Sequence, residues 1–376
     1  MGIKQLWKLL HTLNVFDNQS LRTLSITEGF EGPREDRLYR IGVDVSIWVH
    51  QLQQVFVRGH AQAGENPELR TFFYRLAMLA ERPVHVVFVS DGPERPAIKR
   101  KTRVKTTPHW LLEGMQLLAE AFGYDWLQAA GEAEAELARM NQAGIIDAVL
   151  TEDSDALLFG ALVVIRNPSF KRDDSDVVAI YRADEMQQAA SLSTGDLLLL
   201  ALLLGSDYDP NGLPRCGPTV AYGLTKYGLG RALSTAVQSM SDVELTAYLP
   251  TWRALLCDRL RRDPHGHIGR LQPSLAASVP ATFPDVEIAR LLLAPTVLDP
   301  QTYSNLRGPR PMDLPRLGQL SERYFAWGSR ADILKTFRLT LWPGEAVRML
   351  ILDGLNSRGA HVEVGFFQLS RYIYGI

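Results

Sequence analysis

Two groups of carboxylates, Glu132/Glu134/Glu136 and Glu152/Asp153/Asp155, stand at opposite ends of the stretch Gly131 to Gly160. Between them lie a helix-like segment and the short apolar run Ile145 to Leu150. Like charges that folding brings together are unfavourable unless protons or cations neutralise them. A chain carrying this stretch must either splay its acids into water or gather them around metal. The surrounding sequence bears on that choice.

Three apolar strands are legible, and each ends in acid. Ile41 to Val45 reads as a buried strand running into a helix, with Asp44 near its end. VHVVFVSDG, residues 84–92, is β-branched and aromatic and stops at Gly92-Pro93, with Asp91 just past its carboxyl end. Ile145 to Leu150 is the third, followed by Thr151 to Asp155. A single Asp after a strand is ordinarily a helix cap or turn former; three strands ending alike weaken that reading. Helical patterns over Arg70–Ala80, His109–Phe122 and the Glu-rich segment alternate with these strands, and Val163–Arg166 and Val177–Tyr181 add two more. MGIKQLWKLLHTL has helical spacing, and residues 25–38 read as a loop. Such alternation predicts an α/β fold with a largely parallel sheet covered on both faces, and ligands at the carboxyl ends of its strands. From about Ser193 the chain turns helical. TGDLLLLALLLGSDY ends near Asp207, DPNGLPRCGPTVAYGLTKYG makes a Gly/Pro-rich turn between helices, and helical segments continue to about Leu341.

Bulk properties bound the rest. The 376 residues, 46% hydrophobic and 22% charged, suit a globular protein of two domains. The longest apolar run, Leu197 to Leu204, is far short of the roughly 20 residues a membrane helix needs. Cys216 and Cys257 make neither a disulfide framework nor a zinc spacing, so a reducing intracellular compartment is the default. A net charge of −2 does not announce a nucleic-acid binder, but an acidic site offsets a basic surface elsewhere. The densest basic run is Lys99-Arg100-Lys101 with Arg103 and Lys105; alone, it reads as a solvated face or a localisation signal. If the carboxylates meet, the donors are hard oxygens without His or Cys, which favours Mg²⁺ or Mn²⁺. Two such ions about 3.5 to 4 Å apart suit phosphodiester hydrolysis, and the basic run after Asp91 would hold the phosphates. A nuclease accounts for acid and base together.

The ordered set MGI, GVDVSIW, SDGPERPAIKRK, GEAEAE, TEDSDALLFG and LLGSDY resembles the flap endonuclease and xeroderma pigmentosum group G family. It is most similar to the Holliday junction resolvase branch, with HWLLEGMQLLAEAFGYDW and RYFAWGSRADILKTFRLTLWPGEAVRML resembling fungal members. The resemblance implies a PIN-like nuclease core over residues 1–205, a helix-two-turn-helix and helical region over 206–342, and at 343–376 the start of a chromodomain-like module. It implies metal ligands at Asp44, Asp91, Glu132, Glu134, Asp153, Asp155 and Asp207, holding two Mg²⁺ with Mn²⁺ as substitute. Helical periodicity would instead pair Glu132 with Glu136; Glu134 takes that role if Glu132 stands at the helix start, leaving Glu136 exposed or supporting. Lys99 and Arg100 or Arg103 correspond to the family's phosphate-binding residues on the helix after the second aspartate. DNA contacts are implied for Gly2, Lys99, Arg100, Lys101, Arg103 and Lys105. They are also implied for Gly212, Arg215, Gly217 and Thr219 in the hairpin, commonly built around K⁺; Thr219 stands where the family has lysine.

Glu132 follows Asp91 by 41 positions, short for a helical arch that threads a free 5′ end and suited to a junction that has none. The resemblance therefore implies a nuclear, Mg²⁺-dependent endonuclease of four-way junctions and 5′ flaps, monomeric in solution and dimeric on branched DNA, with no membrane association. Two alternatives stand beside it: a 5′ flap endonuclease or 5′–3′ exonuclease, and a non-catalytic junction-binding protein.

Overall fold

The computed structural model describes residues 2–31, 37–55, 65–96, 98–99, 102–103, 109–166 and 176–357, with the backbone alone at 54–55, 98–99 and 102–103. Its strands are β1 (Asp17–Ser20), β2 (Tyr39–Asp44), β3 (Val84–Ser90), β4 (Ile98–Lys99), β5 (Thr102–Arg103), β6 (Asp125–Gln128), β7 (Ala148–Leu150), β8 (Val163–Arg166) and β9 (Val177–Arg182). Seven form one sheet in the order β1-β9-β8-β7-β2-β3-β6. β6, β3, β2, β7 and β8 run parallel, and β9 is antiparallel to both β8 and β1. The α/β expectation with a largely parallel sheet is met. The chain builds outward from β2 through β3 to β6, then crosses to β7 on the other side, so a topological switch point lies between β2 and β7. In open α/β sheets ligands gather outside the carboxyl ends of the strands at such a point.

All seven residues of β3 are buried, and alternation sends them to two cores. Val87 and Val89 join one, which contains the helices Ala133–Gln142 and Thr194–Leu204. Val86 and Phe88 join the other, with the helices Pro67–Ala80 and Leu111–Ala121. In the second core Phe88 meets Trp48 and Phe72 edge-on, with ring centroids 5.6 Å away in each case. Gly42 of β2 carries no side chain for a reason: a Cβ there would stand 2.4 Å from Leu137 Cδ2 and 2.5 Å from Ile146 Cδ1. The Glu-rich helix thus lies directly on the strand that ends in Asp44.

Differences from the expected elements have local causes. Residues 25–30, expected in a loop, are helical in Leu21–Ser25 and Ile26–Phe30, because Leu21 and Leu24 are buried in the second core. The strand expected over Ile145–Leu150 is confined to Ala148–Leu150. β1 and β6 were not anticipated. Their sequences, DNQS and DWLQ, lack apolar alternation; polar partners hold β6. Asp125 accepts hydrogen bonds from His85 Nε2 (3.0 Å), the Gly308 amide (2.9 Å) and Arg310 Nη1 (2.7 Å). Burial raises the Asp125 carboxyl, but the bonds and charges of His85 and Arg310 outweigh it and hold the group well below the carboxylate range.

Beyond β9 the described chain is helical. Residues 343–357, the expected opening of a separate module, belong to the helix Trp342–Ser357. Its Gly344 sits against Ala80, and its buried Arg348 donates to the Phe122 carbonyl at 2.5 Å and lies 4.8 Å over the Tyr124 ring. Residues 358–376 lie outside the described residues. No single described helix is long and apolar enough to cross a membrane.

Two predictions follow from this packing. Phe88→Ala should cost about 3–5 kcal/mol, seen as a lower urea midpoint. Burial lowers the His85 imidazole to about 4, against the upward pull of Asp125, and its Nδ1 is buried with no hydrogen-bond partner among the described residues. The unfolded imidazole takes a proton near pH 6.5, so stability is lost as pH falls from about 6.5 to about 4. His85→Gln should flatten that decline in urea titrations run across this window.

Candidate functional site

The carboxyl ends of β2, β3 and β7 are adjacent on one rim, and the acids follow them. Asp44 closes β2 in register with Val89, so Asp91 extends two residues further along the neighbouring strand. Val43 pairs with Leu150, three residues before Asp153. Asp44 is 0% exposed, Asp153 and Asp155 1% each, Asp207 4%, and Glu132 and Glu134 7% each; Asp91 is half-buried.

Short donors fix these groups. Asp44 Oδ1 accepts the Ser46 amide at 2.8 Å, and the Ser46 hydroxyl donates to Asp91 Oδ2 at 2.9 Å. Asp91 also accepts Arg95 Nη1 at 2.8 Å and, through Oδ1, the Ala133 amide at 3.1 Å. The Asp155 amide donates to Asp153 Oδ1 at 3.0 Å. Glu152, inside the same acidic run, pairs outward with Arg166 at 2.6 Å, and that guanidinium lies 3.9 Å over the Trp7 ring.

The N-terminus completes the rim. Gly2 N–H donates to Asp207 Oδ1 at 3.3 Å and Ile3 N–H to Ser154 Oγ at 2.8 Å, joining the β7 loop to the end of the helix Thr194–Leu204. Gly2 has φ +79, and a Cβ on it would stand 2.3 Å from Asp153 Oδ1 and 2.7 Å from Asp155 Oδ1. Only glycine fits both the backbone conformation and the space.

Glu132 precedes the helix Ala133–Gln142 in extended conformation, φ −84, ψ 140. That is the condition under which Glu132 and Glu134 share a direction that regular helical spacing denies them. Glu132 accepts the Tyr208 hydroxyl. Glu136, 0% exposed, is not exposed as one sequence reading allowed. It accepts the Tyr303 hydroxyl at 2.5 Å and the Leu298 amide at 3.0 Å, anchoring the returning chain. Burial and the adjacent Glu136 raise the Tyr303 phenol well above its ordinary value, which keeps it a donor.

Six buried carboxylates at one rim form an all-oxygen donor set, suited to hard divalent ions. Among the described residues no three His, Cys, Asp or Glu side chains close into one cage. Mg²⁺ does not require one, since it keeps several waters and binds through one or two carboxylates plus phosphate oxygens.

The expected DNA-contacting residues divide. Gly2 is at the rim. Gly212 (φ +55) packs on the end of the helix Thr194–Leu204, where a Cβ would meet Leu203 O at 2.6 Å. Arg215 (φ +70) and Thr219 are exposed, and Gly217 is the N-cap of the helix Pro218–Thr225 with open space beside it. The backbones of Lys99 and Arg103 lie in the antiparallel pair β4–β5, where the resemblance implied a helix. Arg100, Lys101 and Lys105 lie outside the described residues. Sequence reasoning missed Ser46, Arg95, Tyr208 and Tyr303; of these, only Arg95 carried a signal, four residues from Asp91 inside GPERP.

Models of two family regions match the chain: the XPG N-terminal domain over residues 1–109 and the XPG I-region over 123–207. The mouse protein called flap endonuclease GEN homolog 1 is 32% identical over 253 residues, 62% of this chain and 26% of that protein. The chain thus spans about a quarter of the length of this curated relative. A crystal structure of the Holliday junction-resolving enzyme GEN1 with product DNA and Mg²⁺ superposes with TM-score 0.74 at 31% identity, covering 93% of this chain and 80% of that one. The eukaryotic junction-resolving enzyme GEN-1 binding potassium gives 0.73 at 30%, covering 91% and 78%.

Tyr303→Phe should remove the donor to a buried carboxylate and cost about 1–3 kcal/mol, read from urea denaturation.

Proposed function

We propose the following function from the premise that the chain belongs to the XPG nuclease family, in the branch of the GEN junction-resolving enzymes: it is a Mg²⁺-dependent, structure-specific DNA endonuclease that resolves four-way junctions by paired incision and also cuts 5′ flaps. One observation carries the reading most: the ends of three adjacent parallel strands bring carboxylates to a single rim, where the Gly2 amide meets Asp207. Asp44, Asp91, Glu132, Glu134, Asp153, Asp155 and Asp207 would hold two divalent ions, with Mn²⁺ able to substitute. Bound there, such ions supply an activated water and a counter-charge for the leaving oxygen. The protein's own part is positioning. Ser46, Arg95 and the Ala133 amide fix the Asp91 carboxylate, the Asp155 amide fixes Asp153, and the Tyr208 hydroxyl holds Glu132.

Lys99, Arg100, Lys101, Arg103 and Lys105 would neutralise phosphates of the substrate. The hairpin of Gly212, Arg215, Gly217 and Thr219 grips the uncut duplex through backbone amides with a K⁺ ion, a reading supported by the potassium-bound neighbour. Substrate is branched DNA in the nucleus, and paired incision requires two copies on one junction, so the chain is a monomer that dimerises on DNA. Residues 1–205 would form the nuclease core and 206–342 the helical region with the hairpin, and a further DNA-contacting module would begin only after the helix Trp342–Ser357, which packs on the core. The name of the mouse relative, a flap endonuclease, supports a second activity on flaps at the same site. A binding protein without catalysis fits poorly, because all seven rim positions are acidic.

The test is a labelled panel of four-way junction, 5′ flap, splayed arm and nicked duplex in Mg²⁺. Asp91→Asn and Asp155→Asn should each lose at least about 100-fold in rate on every substrate, while binding in EDTA survives. Wild-type cutting of flaps without paired junction incision would reduce the reading to a flap endonuclease; no metal-dependent product at all would sink it.

A further inference from the structure

The helical region carries a cationic, aromatic surface that the carboxylate rim does not use. Arg259, Arg261 and Arg262 occupy the last turn of the helix Asp242–Arg262. The chain then turns at Asp263, φ 39, whose carboxylate accepts the Tyr227 hydroxyl at 2.6 Å and the Ile268 and Gly269 amides at 3.1 Å each. The His265 and His267 rings gather on Tyr227, with centroids 5.8 and 4.9 Å from its own, and the Arg259 guanidinium lies 5.4 Å from the same ring. Arg262 is 78% exposed, and Arg261, His265 and Arg270 are exposed too. Lys226, exposed and 4.7 Å over the Tyr222 ring, flanks the cluster. Five Lys and Arg thus meet two carboxylates, Asp258 and Asp263, in a chain of net charge −2. Hydrogen bonds within the loop hold it in shape before any ligand arrives, so little ordering remains to be lost on binding.

Its position gives the surface meaning. Gly223 of the helix Pro218–Thr225 packs so closely on this loop that a Cβ would stand 2.5 Å from His267 O. Gly217, at the start of that helix, is six residues earlier, about 9 Å along the axis. The loop therefore continues the track that begins at the hairpin.

We propose that Lys226, Arg262 and Arg270, set on the Tyr227–His265–His267 loop, bind the phosphodiester backbone of a duplex arm beyond the hairpin. This rests on the hairpin being a duplex grip. Arginines and a lysine spread along a rigid surface suit evenly spaced phosphates, each of which releases counterions when neutralised. An acidic protein partner is the competing occupant.

Anisotropy binding of the full chain to a four-way junction in EDTA, across a salt series, tests the proposal. Each lost phosphate contact lowers the slope of log K against log salt by about 0.9. The slope should therefore drop by about 1.8 in Arg262→Gln/Arg270→Gln and about 0.9 in Lys226→Gln. Arg330→Gln, an exposed change elsewhere, should leave it unchanged. Lys226→Gln keeps the test valid if the double variant fails to fold. Wild-type slopes in both variants, or an equal drop in Arg330→Gln, overturn the proposal while leaving junction cutting intact. A wild type that neither binds nor cuts junctions overturns the functional reading beneath it as well.

Discussion

Parallel pairing of β2 with β3 on one side and β7 on the other sets the height of Asp44, Asp91, Asp153 and Asp155 at the rim. Residues along a strand are about 3.3 Å apart, and a slip that keeps the buried faces buried must move two residues. Such a slip would displace Asp91 or Asp153 by roughly 6.6 Å relative to Asp44, farther than any of the hydrogen bonds at the rim could follow. The apolar alternation of β3 between two cores therefore fixes the carboxylates as much as it fixes the fold. Gly42 serves the same end by letting the Glu-rich helix rest on β2 itself.

Mutual repulsion among these acids is countered by donors from outside the strands. Backbone amides of Ser46, Ala133 and Asp155, the Arg95 guanidinium and the Tyr208 hydroxyl each meet one carboxylate. Glu136 shows the same chemistry turned to another purpose. Two residues from Glu134, it takes a phenol and an amide from the segment 298–303 and ties that segment to the Glu-rich helix.

Much of this was legible in the sequence because period-two apolar strands and the acids that follow them are local signals. β2, β3 and the run after β7 announced the sheet and its rim, and the parallel order followed from the alternation with helices. What stayed hidden depends on contacts between distant positions. β6 is stabilised by His85 and Arg310 rather than by its own apolar residues, so nothing in DWLQ advertises a strand. Tyr303 and Glu136 are 167 positions apart, and no periodicity links them. The extended backbone of Glu132, on which the reading of Glu134 as a ligand depends, is a property of the helix boundary, the least predictable point of any helix.

The helix Trp342–Ser357 has a mechanical consequence. Arg348 is sunk against Phe122 and Tyr124, and Gly344 rests on Ala80, so Ser357 is a fixed point of the nuclease core rather than the start of a swinging arm.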